Sequence, residues 1–237
     1  MKRNTMKFIP LTFLSLSLLI ATSCKSNTKQ PAVLESSEVT AETSVKPIKL
    51  NAQQLSNYET AYFASGCFWC VEAIFESVRG VKEAVSGYAG GTEENPTYEM
   101  IGNGSTLHAE AVAVYYDPKV ISFTELVQVF FGSHDPTSLN RQGPDRGTQY
   151  RSIAFYQNEK EKQIIEGYIK AAVDMNIYEG DPITTEVTKL DKFWKAEEYH
   201  QDYERKNPNN SYVRNVSIPR LNRFKANFGD FLKKDEH

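Results

Sequence analysis

A short apolar and aromatic segment, Thr60 to Ala64, runs through Ser65 and Gly66 into a helical pattern with no room for a loop between them. The chain must therefore pass from extended to helical backbone within those two residues. Phe68, Val71, Ile74, Phe75 and Val78 recur at helical spacing, which assigns one face of the helix to the core, and Gly80 ends it. The junction itself reads Gly66-Cys67-Phe68-Trp69-Cys70.

Downstream, Val81 to Ser86 is a strand candidate, followed by a loop through Gly87, Gly90, Gly91, Asn95 and Pro96. Ala109 to Tyr116 alternates, with Glu110, Val112, Val114 and Tyr116 on one face and Ala111, Ala113 and Tyr115 on the other. A carboxylate is thus placed on an apolar face. Ser122 with Glu125 forms a capping box for a helix to about Phe131. A long loop rich in Gly, Pro, Asp and Asn then runs from Ser133 to Tyr150, and internal loops of that length are usually functional. Ser152 to Tyr156 reads as a strand, Glu159 to Met175 as a helix and Thr184 to Leu190 as a strand. The polar, Asn-rich stretch beyond shows little regular pattern.

Length and composition bound the organisation. A chain of 237 residues with 40% apolar content holds one domain and a tail. Lys and Arg are scattered and the net charge is -3, which argues against a nucleic-acid partner. Lys2, Arg3 and Lys7 precede an apolar stretch from Phe8 to Ile20, and Ala21, Thr22 and Ser23 lead into Cys24. This resembles a bacterial lipoprotein signal peptide (1–24) in which Cys24 is acylated, and ordinary signal cleavage with Cys24 incidental is the alternative. Residues 25–58 are too polar to repay their ordering and read as a disordered tether, leaving 59–237 as the domain.

Three cysteines are too few for a disulfide framework. At a helix start, unpaired N–H groups and the helix dipole favour a thiolate, so Cys67 is expected to be acidic and nucleophilic. Cys70, one turn on, can reach it for a disulfide. A permanent bond or two inert thiols are the alternatives, but so short a closed loop constrains the unfolded chain little. A zinc site is disfavoured, because no second Cys or His pair has ligand spacing.

The motifs GCFWC, GYAGG, NPTYE, HAE, HDPTSLNRQG, GTQYRS and EEYHQDY occur in the order and approximate spacing of the peptide methionine sulfoxide reductase A family, which the chain resembles from about Tyr62 to Tyr203. The resemblance implies an α+β fold: a two-layer α/β sandwich with a central mixed β-sheet, a ferredoxin-like core and an irregular C-terminal segment. It implies no metal or bound cofactor, and a monomer specific for the S epimer of methionine sulfoxide, in proteins or free. Cys67 would be the catalytic nucleophile. Glu110, its charged form poorly solvated, would be the acid that protonates the departing oxygen. Tyr98, Tyr150 and Asp145 match the polar groups around the sulfoxide oxygen, and Phe68 and Trp69 the aromatic pocket for the methyl on sulfur. His108, Asp135 and His200 are supporting candidates.

Cys70 is expected to condense with a Cys67 sulfenic acid, and a thioredoxin-like dithiol to reduce the resulting bond. Many relatives carry resolving cysteines in the C-terminal segment, whereas none follows Cys70 here. Leu107 before HAE, where Gly is usual, and Gly102, where Cys is frequent, are further departures. Three other readings compete: a thioredoxin-like disulfide oxidoreductase, a cysteine hydrolase using Cys67 with His108, and a non-enzymatic surface lipoprotein. The expected location is the bacterial cell envelope, with the domain held at the membrane by its lipid.

Overall fold

The computed structural model describes residues 51–234. The signal segment, Cys24 and the tether up to residue 50 lie outside the described residues. Helix α1 (Ala52–Leu55) forms a single turn within the stretch read as tether. No helix of the described residues is long and apolar enough to cross a membrane.

A six-stranded mixed sheet organises the rest. In chain order the elements are β1 (Glu59–Ser65), α2 (Phe68–Glu76), β2 (Val81–Ala89), α3 (Tyr98–Gly102), β3 (Ala109–Tyr116) and α4 (Phe123–Gly132). A small hairpin of β4 (Arg141–Gln142) and β5 (Asp145–Arg146) follows. Then come β6 (Ser152–Tyr156), α5 (Glu159–Asp174), β7 (Glu186–Lys189), β8 (Trp194–Lys195), α6 (Tyr203–Lys206) and α7 (Ile218–Asn227). The strand order is β7-β6-β1-β3-β2-β8, antiparallel throughout except for the parallel pair β6 and β7.

Both faces of the sheet are covered, unequally. Val112, Val114 and Tyr116 of β3 join Ala61 and Phe63 of β1 in the main core beneath the helices. Ala64, Ala89, Ala109 and Ala111 form a thinner layer on the other face with Ile153 and Phe155. Phe63 stacks on Phe75 of α2 at 5.2 Å and on Phe130 of α4 at 5.0 Å. Each such buried ring is worth about 1.5–3 kcal/mol. The capping box at Ser122 and Glu125 forms as read, with both halves present.

Two stretches differ from the sequence reading. Strand β2 continues through Gly87 to Ala89, where a loop was expected. Gly87 marks close approach: a Cβ there would lie 2.2 Å from the Phe193 ring and 2.4 Å from the Trp194 carbonyl of β8. The C-terminal segment contains a π-helical turn, Val213–Ser217, that runs into α7, with Pro219 in its first turn. Between β8 and α6, the Gln201 side-chain amide accepts from the Ser86 N–H at 3.0 Å and donates to the Ser86 carbonyl at 2.9 Å, mimicking a strand residue.

Gly66 makes the strand-to-helix turn, at φ +89°, and a Cβ there would meet Gln142 Cβ at 2.5 Å. Gly66→Ala therefore combines left-handed strain with a clash, and is expected to cost about 2 kcal/mol, lowering the melting temperature by roughly 5 °C. Calorimetry of the variant checks this, and an unchanged melting temperature would show that the turn relaxes freely.

Candidate active site

Cys67 occupies the N-cap position of α2, immediately after the Gly66 turn, so the fold sets a thiol at the end of β1 and at the start of a helix. The first free helical N–H, that of Phe68, donates to Glu110 Oε2 at 3.0 Å. Glu110 comes from β3, opposite Tyr88 of β2, and is 2% exposed. Burial pushes its carboxyl up to about 8, against the lowering effect of the Phe68 N–H. At neutral pH it holds its proton.

Cys67 and Cys70 are both buried and reduced, and their thiols interact directly. Burial pushes the Cys67 thiol up, and donation of its hydrogen to Cys70 and the Glu110 charge add to this. Accepting that hydrogen pulls Cys70 down to about 6, with Arg220, Ser217 and Tyr212 assisting and burial opposing. The expectation of an acidic Cys67 thus does not hold for the reduced, substrate-free pair. The helix N-terminus is present, but its Phe68 N–H is aimed at Glu110 instead of the thiol. The hydrogen bond between the thiols thus favours negative charge on Cys70 over Cys67.

The aromatic residues divide by depth. Phe68 is fully buried, with Tyr98 stacked on it at 6.3 Å and His200 5.0 Å away, so it is the floor of the pocket and part of the core. Trp69 is half-buried, its ring stacked on Tyr203 at 3.7 Å and its Nε1–H donating to His200 Nδ1 at 3.1 Å. Tyr98 and Tyr150 are half-buried. Burial, with the charges of Glu110 and Cys67 among the further causes, raises both phenols, Tyr98 to about 12. Both remain hydrogen-bond donors beside the same thiol and carboxyl. Asp145, on β5, accepts from Tyr212 Oη–H at 2.5 Å, and burial raises its carboxyl.

Tyr212 is the residue missing from the sequence reading. Its hydroxyl lies 3.9 Å from Cys70 Sγ and ties the thiols to Asp145. A lone aromatic in a polar, Asn-rich stretch was the only signal. Arg220 of α7 lies behind the Cys67 turn, outside the group of residues around Cys67 and Glu110, donating from Nε to the Ser133 carbonyl and from Nη2 to the Ser65 carbonyl, each at 3.0 Å.

The supporting candidates fall elsewhere. His108 accepts from the Gly91 N–H at 3.1 Å through Nδ1 and lies 2.8 Å from the Glu93 carbonyl through Nε2, so both nitrogens are spent on the glycine loop. This removes the arrangement a Cys67–His108 hydrolase needs. Asp135 caps its own loop through Thr137 and Ser138. His200 braces Trp69. On another side of α2, Glu72, Glu76 and Asp202 bring oxygens within 4.8 Å of one another. Glu72 already accepts from Ser86 and the Asp202 N–H, and Asp202 pairs with Arg205 and Lys206, so two of the three acids are satisfied within the protein.

Residues 59–231 match the family described as peptide methionine sulfoxide reductase. The peptide methionine sulfoxide reductase MsrA of Haloquadratum walsbyi is 48% identical over 174 residues, 73% of this chain and 98% of that protein. The MsrA of Acinetobacter baumannii is 44% identical over 175 residues, 74% of this chain and 99% of that one. Among solved structures, reduced Mxr1 from Saccharomyces cerevisiae superposes with a TM-score of 0.59 at 36% identity, covering 64% of this chain and 87% of that one. Methionine sulfoxide reductase A of Corynebacterium diphtheriae gives 0.57 at 38% identity, covering 63% and 75%. The mixed sheet expected from the motifs is the one found, and with two thiols, a buried carboxyl and flanking phenols clustered where α2 starts, the chain belongs to the peptide methionine sulfoxide reductase family, in its MsrA branch.

Proposed function

We propose that this chain reduces methionine S-sulfoxide, in proteins and as the free amino acid, with Cys67 as nucleophile, Glu110 as acid, Cys70 as resolving thiol and a thioredoxin-like dithiol as external reductant. The observation that carries this is the protonated, buried Glu110 carboxyl held against the first N–H of the helix that starts after Cys67. A thiolate attacking a sulfoxide sulfur drives electrons onto an oxygen that leaves only if it gains a proton. Glu110 has that proton near neutrality. Tyr98 and Tyr150 donate to the same oxygen, while Trp69, over the Phe68 floor, receives the methyl on sulfur. Asp145 acts through Tyr212.

The steps balance as follows. The proton shared by the thiols passes from Cys67 to Cys70, leaving Cys67 free to attack. Cys67 thiolate, the sulfoxide and the Glu110 proton then become Cys67 sulfenic acid and methionine, two electrons moving from the thiolate sulfur to the substrate. Cys70 passes its proton to the Glu110 carboxylate left by the first step, its thiolate attacks the sulfenic sulfur, and the displaced hydroxide leaves as water on taking that proton from Glu110. The disulfide formed is reduced by the external dithiol, which supplies two electrons and two protons and is itself oxidised to a disulfide.

The reading extends to the N-terminus. An acylated Cys24 would hold the monomeric domain on its tether at the bacterial cell envelope. Cys24→Ala should then move the protein from the membrane fraction to the soluble one, and an unchanged distribution would refute the anchor.

Mass spectrometry after one equivalent of methionine sulfoxide tests the chemistry: a Cys67 to Cys70 bond is expected, and its absence with methionine released points to another resolver. Cys67→Ser should be inactive, and Cys70→Ser should release one methionine per chain and stop. Glu110→Gln should slow sulfoxide reduction at least ~100-fold while leaving thiol-disulfide exchange intact. Loss of both activities instead would favour a general oxidoreductase.

Glu110 also makes stability depend on pH. The native carboxyl keeps its proton up to about 8, whereas the unfolded chain releases it near the ordinary value of 4.5. The folded state therefore binds more protons across that window, and stability falls as pH rises through it. Glu110→Gln removes this share, so the variant should gain on the parent by on the order of 3 kcal/mol between about pH 5 and about pH 8. Urea denaturation at both pH values measures this, and a difference independent of pH would mean an ordinary carboxyl.

A further inference from the structure

Arg220 is 8% exposed, yet among the described residues it forms no ion pair with a carboxylate. Its hydrogen-bond partners are the neutral Ser133 and Ser65 carbonyls and the Ser65 hydroxyl. A buried cation without a matching anion is costly, so a fold that keeps one has a counter-charge elsewhere. Arg220 lines a cavity of about 340 Å³ together with Cys70, Asp145, Tyr212 and Arg223. Cys67 does not line it. Asp145 feels the Arg220 charge, which opposes the effect of burial on its carboxyl, but it forms no ion pair with Arg220, and Tyr212 occupies one of its oxygens. The other group on that wall that the Arg220 charge favours in its anionic form is the Cys70 thiol.

We propose that Arg220, reaching from α7 to the Cys70 wall of this cavity, is the counter-charge of the Cys70 thiolate and thereby a positioning residue for disulfide closure. This rests on Cys70 being the resolving thiol. In the closing step the Cys70 thiolate forms a bond to the Cys67 sulfenic sulfur, the S–O bond breaks, and the oxygen leaves as water with the proton that Glu110, deprotonated in the first step, has taken up from Cys70. No electrons enter or leave the pair, and Arg220 keeps its proton throughout. The groups facing Cys70 are Cys67 on its own helix, Glu110 from β3, Asp145 from β5, Tyr212 before the π-helical turn, and Arg220 and Arg223 from α7. Only the two arginines are positive, and Arg220 is the buried one. Its influence on Cys70, in the same direction as Ser217 and Tyr212, accords with the geometry.

The consequence is a division of labour within the segment that carries no cysteine: it contributes the charge that activates a thiol lying elsewhere. Arg220→Gln removes the charge but keeps an N–H donor for one carbonyl, and Arg220→Lys keeps the charge. Reduced protein is mixed with one equivalent of methionine sulfoxide across a pH series, and methionine release and thiol loss are followed separately. In Arg220→Gln the pH midpoint of thiol loss should rise by about one unit, slowing closure about tenfold below it, with methionine release no slower than in the parent. Arg220→Lys should restore the parent midpoint.

A slower closure with the parent midpoint would mean a purely structural role and overturn the assignment, as would an equal shift in the Lys variant. Should Arg220→Gln not fold, the unmodified protein decides. Limiting iodoacetamide at about pH 6.5 should alkylate Cys70 ahead of Cys67, and the opposite order overturns the proposal. If the parent releases methionine but never forms the Cys67 to Cys70 bond, the resolver reading itself falls and the role of Arg220 in closure falls with it.

Discussion

The hydrogen bond from the Phe68 N–H to Glu110 joins a helix end to the middle of the sheet, and the pocket is arranged around it. Helix starts leave N–H groups unsatisfied, and a buried carboxyl needs a partner, so each removes a cost that the other would carry alone. The bond also sets the phase of α2 over β3: Cys67 at the cap and Cys70 one turn later follow from where Phe68 is held. It redirects the positive end of the helix from the thiol to the carboxyl. Glu110, Asp145, Cys67 and Cys70 then crowd one buried region in which each negative charge discourages the others, and the pocket accommodates few ionised states.

Chain segments far apart in sequence close around that centre. Glu197 accepts from the Tyr88 hydroxyl at 2.7 Å and from the Tyr98 N–H at 3.0 Å, which ties α3 to the sheet. His200 and Tyr203 hold the Trp69 indole from two sides. Tyr212 and Arg220 then reach the thiols from the C-terminal side. Rigid aromatic side chains suit this work because they bury large areas while giving up few rotatable bonds. The result is a pocket whose walls are ordered by the same contacts that complete the core.

The legible parts of this arrangement were those governed by neighbours in sequence. Strand β3 could be read, Glu110 included, because valine and alanine alternate through Ala111 to Val114, which fixes a period of two and the face on which Glu110 falls. Helix α4 was announced by its cap, and the pairing of Cys67 with Cys70 by a spacing of one turn. The Cys67 thiol was misjudged because the group that takes the helix N–H lies 42 residues away from Phe68, beyond any local pattern. Strand β2 was cut short at Gly87, since a glycine that admits a neighbouring ring looks in sequence like a glycine that bends a loop. Tyr212 and Arg220 were invisible for a related reason. Their partners, Asp145 and Ser65, are 67 and 155 residues distant, and their surroundings in sequence are polar.

Gln201 has a consequence beyond the pocket. Its amide, together with the Ala196 N–H, occupies the Ser86 position on the outer edge of β2, where β8 itself pairs only with Gly87 and Tyr88. A side chain can satisfy that edge but cannot be lengthened into another strand, so pairing stops there. Should the C-terminal segment peel away, β2 would expose a row of open N–H and C=O groups suited to strand addition. Loss of this wrapping would therefore lead first toward aggregation between chains, before the sheet itself came apart.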